Sequence, residues 1–256
     1  MIDPRQALAQ LQVAMMLLTR LPAGTIAGAA PKLRDAVWAF PLVGLIVGVV
    51  VGLGVMIALW VGLPPVLAAG LAVVLGVLAT GALHEDGLAD LADGFGGGQT
   101  RARKLEIMRD SRIGSYGTLA LILSVGLRWQ ALAFVMLMAP ATAICAVVAV
   151  AVFSRAGLPA LMVALPPARD NGLGQSASGG DWTGAAIAGA IGVGVALVLL
   201  GPLVAVFVTL AVAVALVGLG TLALRQIGGQ TGDVLGAAQQ VTELAAWLVI
   251  AASVAG

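Results

Sequence analysis

From Val37 to Leu83 the chain contains no Asp, Glu, Lys or Arg. A stretch of that kind has no polar face to turn to water, so it cannot form the shell of a water-soluble protein. About twenty apolar residues cross a hydrocarbon core, and this run is long enough for two crossings. The rest follows suit: 61% of the 256 residues are hydrophobic and 10% charged, where soluble domains average about 25% charged. The expected fold class is all-α, a polytopic helical membrane protein with about seven transmembrane helices, forming one membrane domain over residues 1–256. The 35 glycines suit helices that touch closely in lipid, where small residues let backbones approach. They would also allow a homo-oligomer. A net charge of +1 gives no reason to expect nucleic acid as a partner. The single cysteine, Cys145, excludes an intrachain disulfide and a cysteine-based metal cluster and reads as a small buried hydrophobe.

Spans are expected at Val37–Leu59, Val66–Leu83, Thr118–Met138, Ala141–Val152, Ala185–Leu200, Leu203–Leu222 and Leu244–Ala255, with Pro64-Pro65, Pro140 and Pro202 at tight turns. Residues Gln6–Thr19 read as an amphipathic helix that either lies in the interface or dips into the bilayer as a re-entrant element. The N-terminus does not read as a cleaved signal, because Asp3 comes early and no small-residue cleavage site follows an apolar core. With seven spans, Lys32, Arg34, Arg101, Arg103, Lys104, Arg109, Arg112, Arg155, Arg169 and Arg225 all fall on one side, which the positive-inside rule makes the cytoplasm. The segments after Leu83, after Arg155 and around Asp233 then share that face and can converge on one site.

Residues His84–Arg112 hold eleven of the chain's charged residues, out of thirteen Lys+Arg and twelve Asp+Glu. Asp86, Asp90 and Asp93 are spaced i, i+4, i+7, which puts three carboxylates on one helical face. Like charges so placed destabilise an isolated helix but suit Mg²⁺, which takes oxygen ligands and leaves room for substrate phosphate. These three are the candidate metal ligands and catalytic residues. Glu85 points elsewhere on the wheel and is expected to be solvated. His84 is also off the face and is either a capping, hydrogen-bonded histidine or a catalytic one. It is the only histidine, with an unperturbed pKa suited to proton transfer near neutrality. Gly94, Gly96, Gly97 and Gly98 free the backbone to curve around a phosphate or metal. Arg109 and Arg112 either clamp phosphate, which guanidinium matches in geometry, or anchor the loop to its side of the membrane. A second polar stretch, Arg225–Glu243, offers Thr231 or Asp233 as a helix cap, with nearby amides open to an anion. Clustered carboxylates, glycines and arginines at one membrane face point to metal-assisted phosphoryl transfer. No span contains a convincing mid-helix carboxylate, which argues against a cation-coupled transporter.

Several motifs carry a resemblance: "LTRLP" at Leu18–Pro22, "HEDGLADLADGFGGG" at His84–Gly98, "KLEIMRDSRIGSYG" at Lys104–Gly117, "FSR" at Phe153–Arg155 and "GGQTGDVLGA" at Gly228–Ala237. In this order they resemble the cobalamin synthase family, the adenosylcobinamide-GDP ribazoletransferases. The resemblance implies a Mg²⁺-dependent enzyme of the bacterial inner membrane, multi-pass, with its site facing the cytoplasm. It would join adenosylcobinamide-GDP to α-ribazole or α-ribazole 5′-phosphate, giving adenosylcobalamin or its 5′-phosphate and GMP. It also brings Arg20, Arg109, Asp110, Arg112, Arg155, Thr231 and Asp233 forward as substrate-binding residues. The "DLADG" at Asp90–Gly94 is similar to part of the CDP-alcohol phosphotransferase signature, whose downstream aspartate pair is missing. A lipid phosphotransferase is therefore the alternative enzyme.

Overall fold

A computed structural model of the protein describes residues 3–170, 172, 175 and 180–255. Among these, every extended element is a helix: α1 (Pro4–Leu18), α2 (Phe40–Trp60), α3 (Pro65–Thr80), α4 (Leu83–Gly97), α5 (Arg101–Ile107), α6 (Ser115–Met138), α7 (Pro140–Ala156), α8 (Leu158–Ala164), α9 (Trp182–Leu200), α10 (Pro202–Ile227) and α11 (Gly232–Ser253). In hydrocarbon a helix satisfies its own backbone, so a chain this apolar has little alternative. The chain is an all-α multi-pass membrane protein. Six segments are long and apolar enough to span a bilayer, or seven if α3 and α4 make one broken span. The segment Arg169–Gly174, expected on the charged side, is only partly among the described residues, since Asn171, Leu173 and Gly174 fall outside them.

Three boundaries differ from the sequence reading, each for a physical reason. The second span does not run on to Leu83. It stops at Thr80, and α4 leaves it at 90°. Gly81 (φ 65°) and Ala82 (φ 60°) make the bend in the left-handed region, which suits glycine and strains alanine by about 1–2 kcal/mol. The short fourth span is longer than expected, because α7 and α8 together form a 25-residue candidate span, Pro140–Ala164. The last span starts at Gly232, twelve residues before the expected Leu244. Its first half is polar because Gln239, Gln240 and Thr242 point inward and are buried, so hydropathy undervalues it.

Helix α1 is the expected amphipathic element. It packs along the start of α2 rather than crossing the bilayer, and the Trp38 indole donates to Gln10 Oε1 at 2.7 Å. Its exit is fixed where Arg20 N donates to Ala79 O at 2.8 Å. Helix α2 lays Gly44, Gly48 and Gly52 against α7, a small-residue stripe of the kind that lets membrane helices interlock. At Gly44 a side chain would run into the Ala151 carbonyl. Large apolar side chains such as Leu53, Ile57, Val198, Val214 and Val217 face outward, as lipid-facing positions do.

The backbone contact at Gly44 generates a prediction. Gly44→Leu forces the α2–α7 pair apart and lowers stability by about 1–3 kcal/mol, read as a lower thermal midpoint in detergent. A melt identical to wild type would show that these helices do not touch there.

Candidate active site

Two helix starts build the site. Helix α4 carries Asp86 and Asp90 one turn apart. Helix α11 begins at Thr231, whose hydroxyl accepts from Val234 N at 3.3 Å and so caps it. The same hydroxyl donates to Asp233 Oδ2 at 3.2 Å. The two helices cross at Gly87 and Gly236, where a side chain on Gly87 would come to 3.0 Å from Asp233 O and 3.1 Å from Gly236 Cα. That approach carries Asp233 to the aspartates of α4. Asp86 and Asp233 line one cavity of about 210 Å³ together with His84, Phe40 and Leu158. The Asp90 carboxylate interacts electrostatically with Asp86, Asp233 and Asp93, and with Arg169.

Asp93 does something different from Asp86 and Asp90. It is buried, and its two oxygens accept from the first amides of α6: Gly114 N donates to Oδ2 at 2.7 Å and Gly117 N to Oδ1 at 2.9 Å. One carboxylate thus holds the start of α6 against α4, in line with the preference of anions for helix N-termini. The glycines after it are not a loop. Gly94, Gly96 and Gly97 lie within α4, Gly94 leaves room for Met108, and the Tyr116 ring covers Gly96.

The arginines divide. Arg169, missed as a site residue, reaches the cluster: its Nη1 lies 3.5 Å from Asp233 Oδ2 and its Nη2 donates to Leu105 O at 3.1 Å. It is delivered by a short backbone pairing in which Gln230 N donates to Pro166 O and Ala168 N to Gln230 O, both at 2.8 Å. Burial presses its guanidinium below the usual range, while Asp233 pushes it back up. Arg109 lines a cavity of about 430 Å³ with Arg169, Glu106 and Asp170. Two guanidiniums at one opening suit phosphate. Arg112 and Asp110 instead pair with each other at 2.6 Å on the exposed surface, and the hydrogen bonds from Arg112 hold the Asp110 carboxyl at about 2. Arg20 is exposed and its side chain lies over Gly81 at the bend. Arg155 is buried in α7 and donates to Ala151 O at 2.8 Å, so it does not share the cavity of Asp86 and Asp233.

Glu85 overturns the expectation that it is solvated. It is 8% exposed and pairs with Arg128 at 3.2 Å, which in turn pairs with Glu243 at 3.1 Å. Arg128 and Glu243 lie well inside α6 and α11, so charges do occur within the spans. His84 stands beside them, buried, with no hydrogen-bond partner for Nε2. It lines both the cavity of Asp86 and Asp233 and a second, inner cavity with Glu85, Arg128, Arg155 and Glu243. Sequence reasoning missed Arg128 because one arginine in an apolar span leaves its hydropathy high. The signal that would have found it is the cost of an unpaired charge in lipid, which demands a buried acidic partner.

Among the described residues no three His, Cys, Asp or Glu stand close enough to form a ready-made metal cage. Asp86, Asp90 and Asp233 nevertheless offer the hard oxygen donors that Mg²⁺ takes, and Mg²⁺ commonly binds through one or two carboxylates with water and substrate phosphate completing its shell.

The family described as cobalamin-5-phosphate synthase matches residues 10–251. A protein of Bradyrhizobium diazoefficiens named adenosylcobinamide-GDP ribazoletransferase is 49% identical, over 97% of this chain and 95% of its own length. One of the same name from Mesorhizobium japonicum is 46% identical over 97% and 95%, and one from Azorhizobium caulinodans 45% over 93% of each. No solved structure matches the chain.

The two roles of the aspartates separate experimentally. Asp93→Asn replaces one acceptor by an NH₂ that faces a backbone N–H, leaving a buried donor unsatisfied at a cost of about 1–3 kcal/mol. The expected result is a lower thermal midpoint with unchanged Mg²⁺ dependence in the protein that remains folded. A normal melt with a raised Mg²⁺ requirement would return Asp93 to the metal.

Proposed function

The chain belongs to the cobalamin-5-phosphate synthase family, and we propose that it performs the ribazoletransferase reaction for which its relatives are named. A ribose hydroxyl of α-ribazole, or of its 5′-phosphate, attacks the phosphorus that carries adenosylcobinamide. The new P–O bond replaces the one to GMP, which leaves, and the hydroxyl proton passes to a base. The products are adenosylcobalamin, or its 5′-phosphate, and GMP. The observation that carries this reading is the convergence of Asp86, Asp90, Asp233 and Arg169 from three separate chain segments. Family membership sets aside the lipid phosphotransferase and the transporter. The carboxylates found inside the bundle, Glu85 and Glu243, are both paired with Arg128.

In this reading Asp86, Asp90 and Asp233 would hold Mg²⁺, with Asp233 in the place that spacing alone gives to Asp93. The bound ion supplies charge neutralisation for the pyrophosphate. Arg169 and Arg109 orient the phosphates from the 430 Å³ opening. His84 takes the hydroxyl proton at its unpartnered Nε2, and the apolar wall of Phe40 and Leu158 keeps bulk water from competing with the hydroxyl. In this reading the protein sits in the bacterial inner membrane with this site toward the cytoplasm, where its GDP-activated substrate would be at hand. The Lys/Arg distribution supports that orientation.

Purified protein in liposomes should release GMP from adenosylcobinamide-GDP only when Mg²⁺ and α-ribazole, or its phosphate, are both present. Asp86→Asn and Asp90→Asn should each lower kcat by at least about 10²-fold, on the scale of a lost charge-stabilising contact, without a shift in thermal midpoint. Near-normal turnover of Asp90→Asn at low Mg²⁺ would discard this site.

The proton has its own test. His84→Ala should lose about 10²–10⁴-fold in kcat, the usual worth of a general base, and His84→Gln should not restore it. If His84→Gln keeps most of the rate, the histidine is a hydrogen-bonding residue and the carboxylates manage the proton.

A further inference from the structure

The α4–α11 crossing has an unusual property. At Gly87 and Gly236 the backbones meet with no side chain of either residue between them. At that point the contact has no knob and hole of its own to resist rotation or sliding of one helix on the other. The separation of Asp86 and Asp90 from Asp233 depends on that rotation. Something else must set it.

The residue just before Asp86 meets this need. Successive helical residues turn by about 100°, so Glu85 points about 120° away from the mean direction of Asp86 and Asp90. Drawing Glu85 into the bundle therefore turns the two aspartates the other way. Glu85 is held from two sides. Arg128 Nη2 donates to its Oε1 at 3.2 Å, and Gln240 Nε2 donates to the same oxygen at 3.1 Å. Gln240 lies seven residues beyond Asp233, two turns along the same face of α11. The second carboxylate on Arg128 also comes from α11: Arg128 Nη1 donates to Glu243 Oε1 at 3.1 Å. Gln239 closes the set by donating to Glu243 Oε2 at 2.6 Å while accepting from Gln240 at 2.8 Å. One guanidinium on α6 thus grips α4 and α11 at once, α4 at the residue before Asp86 and α11 at Glu243, on the helix that carries Asp233.

Stability is a poor account of this arrangement. A buried ion triad is on average no better for stability than well-packed apolar residues of the same size, and in a membrane the charges are dearer still. The strained Ala82, three residues before Glu85, points the same way, since a left-handed alanine persists only where its surroundings over-determine it. We propose that Arg128, through Glu85 and Glu243, is the positioning residue that sets the rotation of α4 against α11 and so fixes where Asp86 and Asp90 stand relative to Asp233. This rests on the metal role assigned to those aspartates above.

The test uses the full chain in detergent and two variants. Arg128→Met alone would strand two buried carboxylates, so it is combined with Glu85→Gln and Glu243→Gln, which removes the charges together. Arg128→Lys keeps the charge but lacks the fork that reaches both partners. Thermal midpoint, GMP release and binding of Mn²⁺, read by its paramagnetic resonance as a stand-in for Mg²⁺, are measured on each. The triple variant is expected to melt near wild type, to bind Mn²⁺ at least tenfold more weakly and to lose at least tenfold in kcat, with KM for α-ribazole within twofold. Arg128→Lys should move the same two quantities less far. Wild-type Mn²⁺ affinity and kcat in either folded variant overturn the proposal. If wild type binds Mn²⁺ but releases no GMP, and the variants lose that binding, the transferase reading fails while the positioning role stands.

Discussion

The site depends on the close crossing of two helices that are far apart in sequence. Gly87 and Gly236 let the backbones of α4 and α11 nearly touch. Without that approach Asp233 would be a surface aspartate at a helix cap, and Asp86 and Asp90 would be two like charges on a short helix with nothing to justify them. The crossing works because everything around it is arranged at other points. The Gly81–Ala82 bend aims α4, Asp93 ties its far end to α6, and Arg128 grips its near end.

Much of this was legible in the sequence. Apart from the start of the last span, apolar runs marked the helices within a few residues, since lipid leaves the backbone no other way to satisfy itself. The i, i+4 spacing of Asp86 and Asp90 and the polar island at Thr231–Asp233 marked residues that the α4–α11 crossing brings together, and the Lys/Arg pattern said that they share a side. The rest failed for one recurring reason: a polar residue in a membrane chain can be turned either to water or to the interior, and periodicity along one helix does not say which. Asp93 shares the expected face with Asp86 and Asp90 but is one turn further on, where the amides of α6 take it. Glu85 was given to solvent because it lies off that face, yet off the face meant into the bundle. Arg155 sits at the end of an expected span and is buried, lining the inner cavity with His84 rather than the one that Asp86 and Asp233 share.

The charged interior also explains why hydropathy misplaced the last span. Gln239, Gln240, Thr242 and Glu243 make α11 half polar, but their partners lie inside the bundle: Ser154 of α7 accepts from Gln239 at 3.0 Å, and Arg128 of α6 and Glu85 of α4 take most of the rest. Polarity in this helix is directed at other helices rather than at water, so its transfer cost depends on neighbours that a window average does not see.

The backbone pairing of Pro166–Ala168 with Gln230 has a consequence for how the protein is made. Arg169, Asp233 and the paired aspartates of α4 come from segments synthesised far apart in time, and the last of them is delivered by the final described helix. Until α11 enters the bilayer, Arg128 has only Glu85 as a buried partner, and Asp86 and Asp90 face a gap where Gly236 will seat. The turn before α11 and α11 itself supply together the second carboxylate for Arg128, Asp233 beside Asp86, and Gln230 as backbone partner for the Arg169 segment. An interrupted chain therefore lacks Asp233 and the α11 contacts of Arg128 together, so the two halves of this arrangement are gained or lost as one.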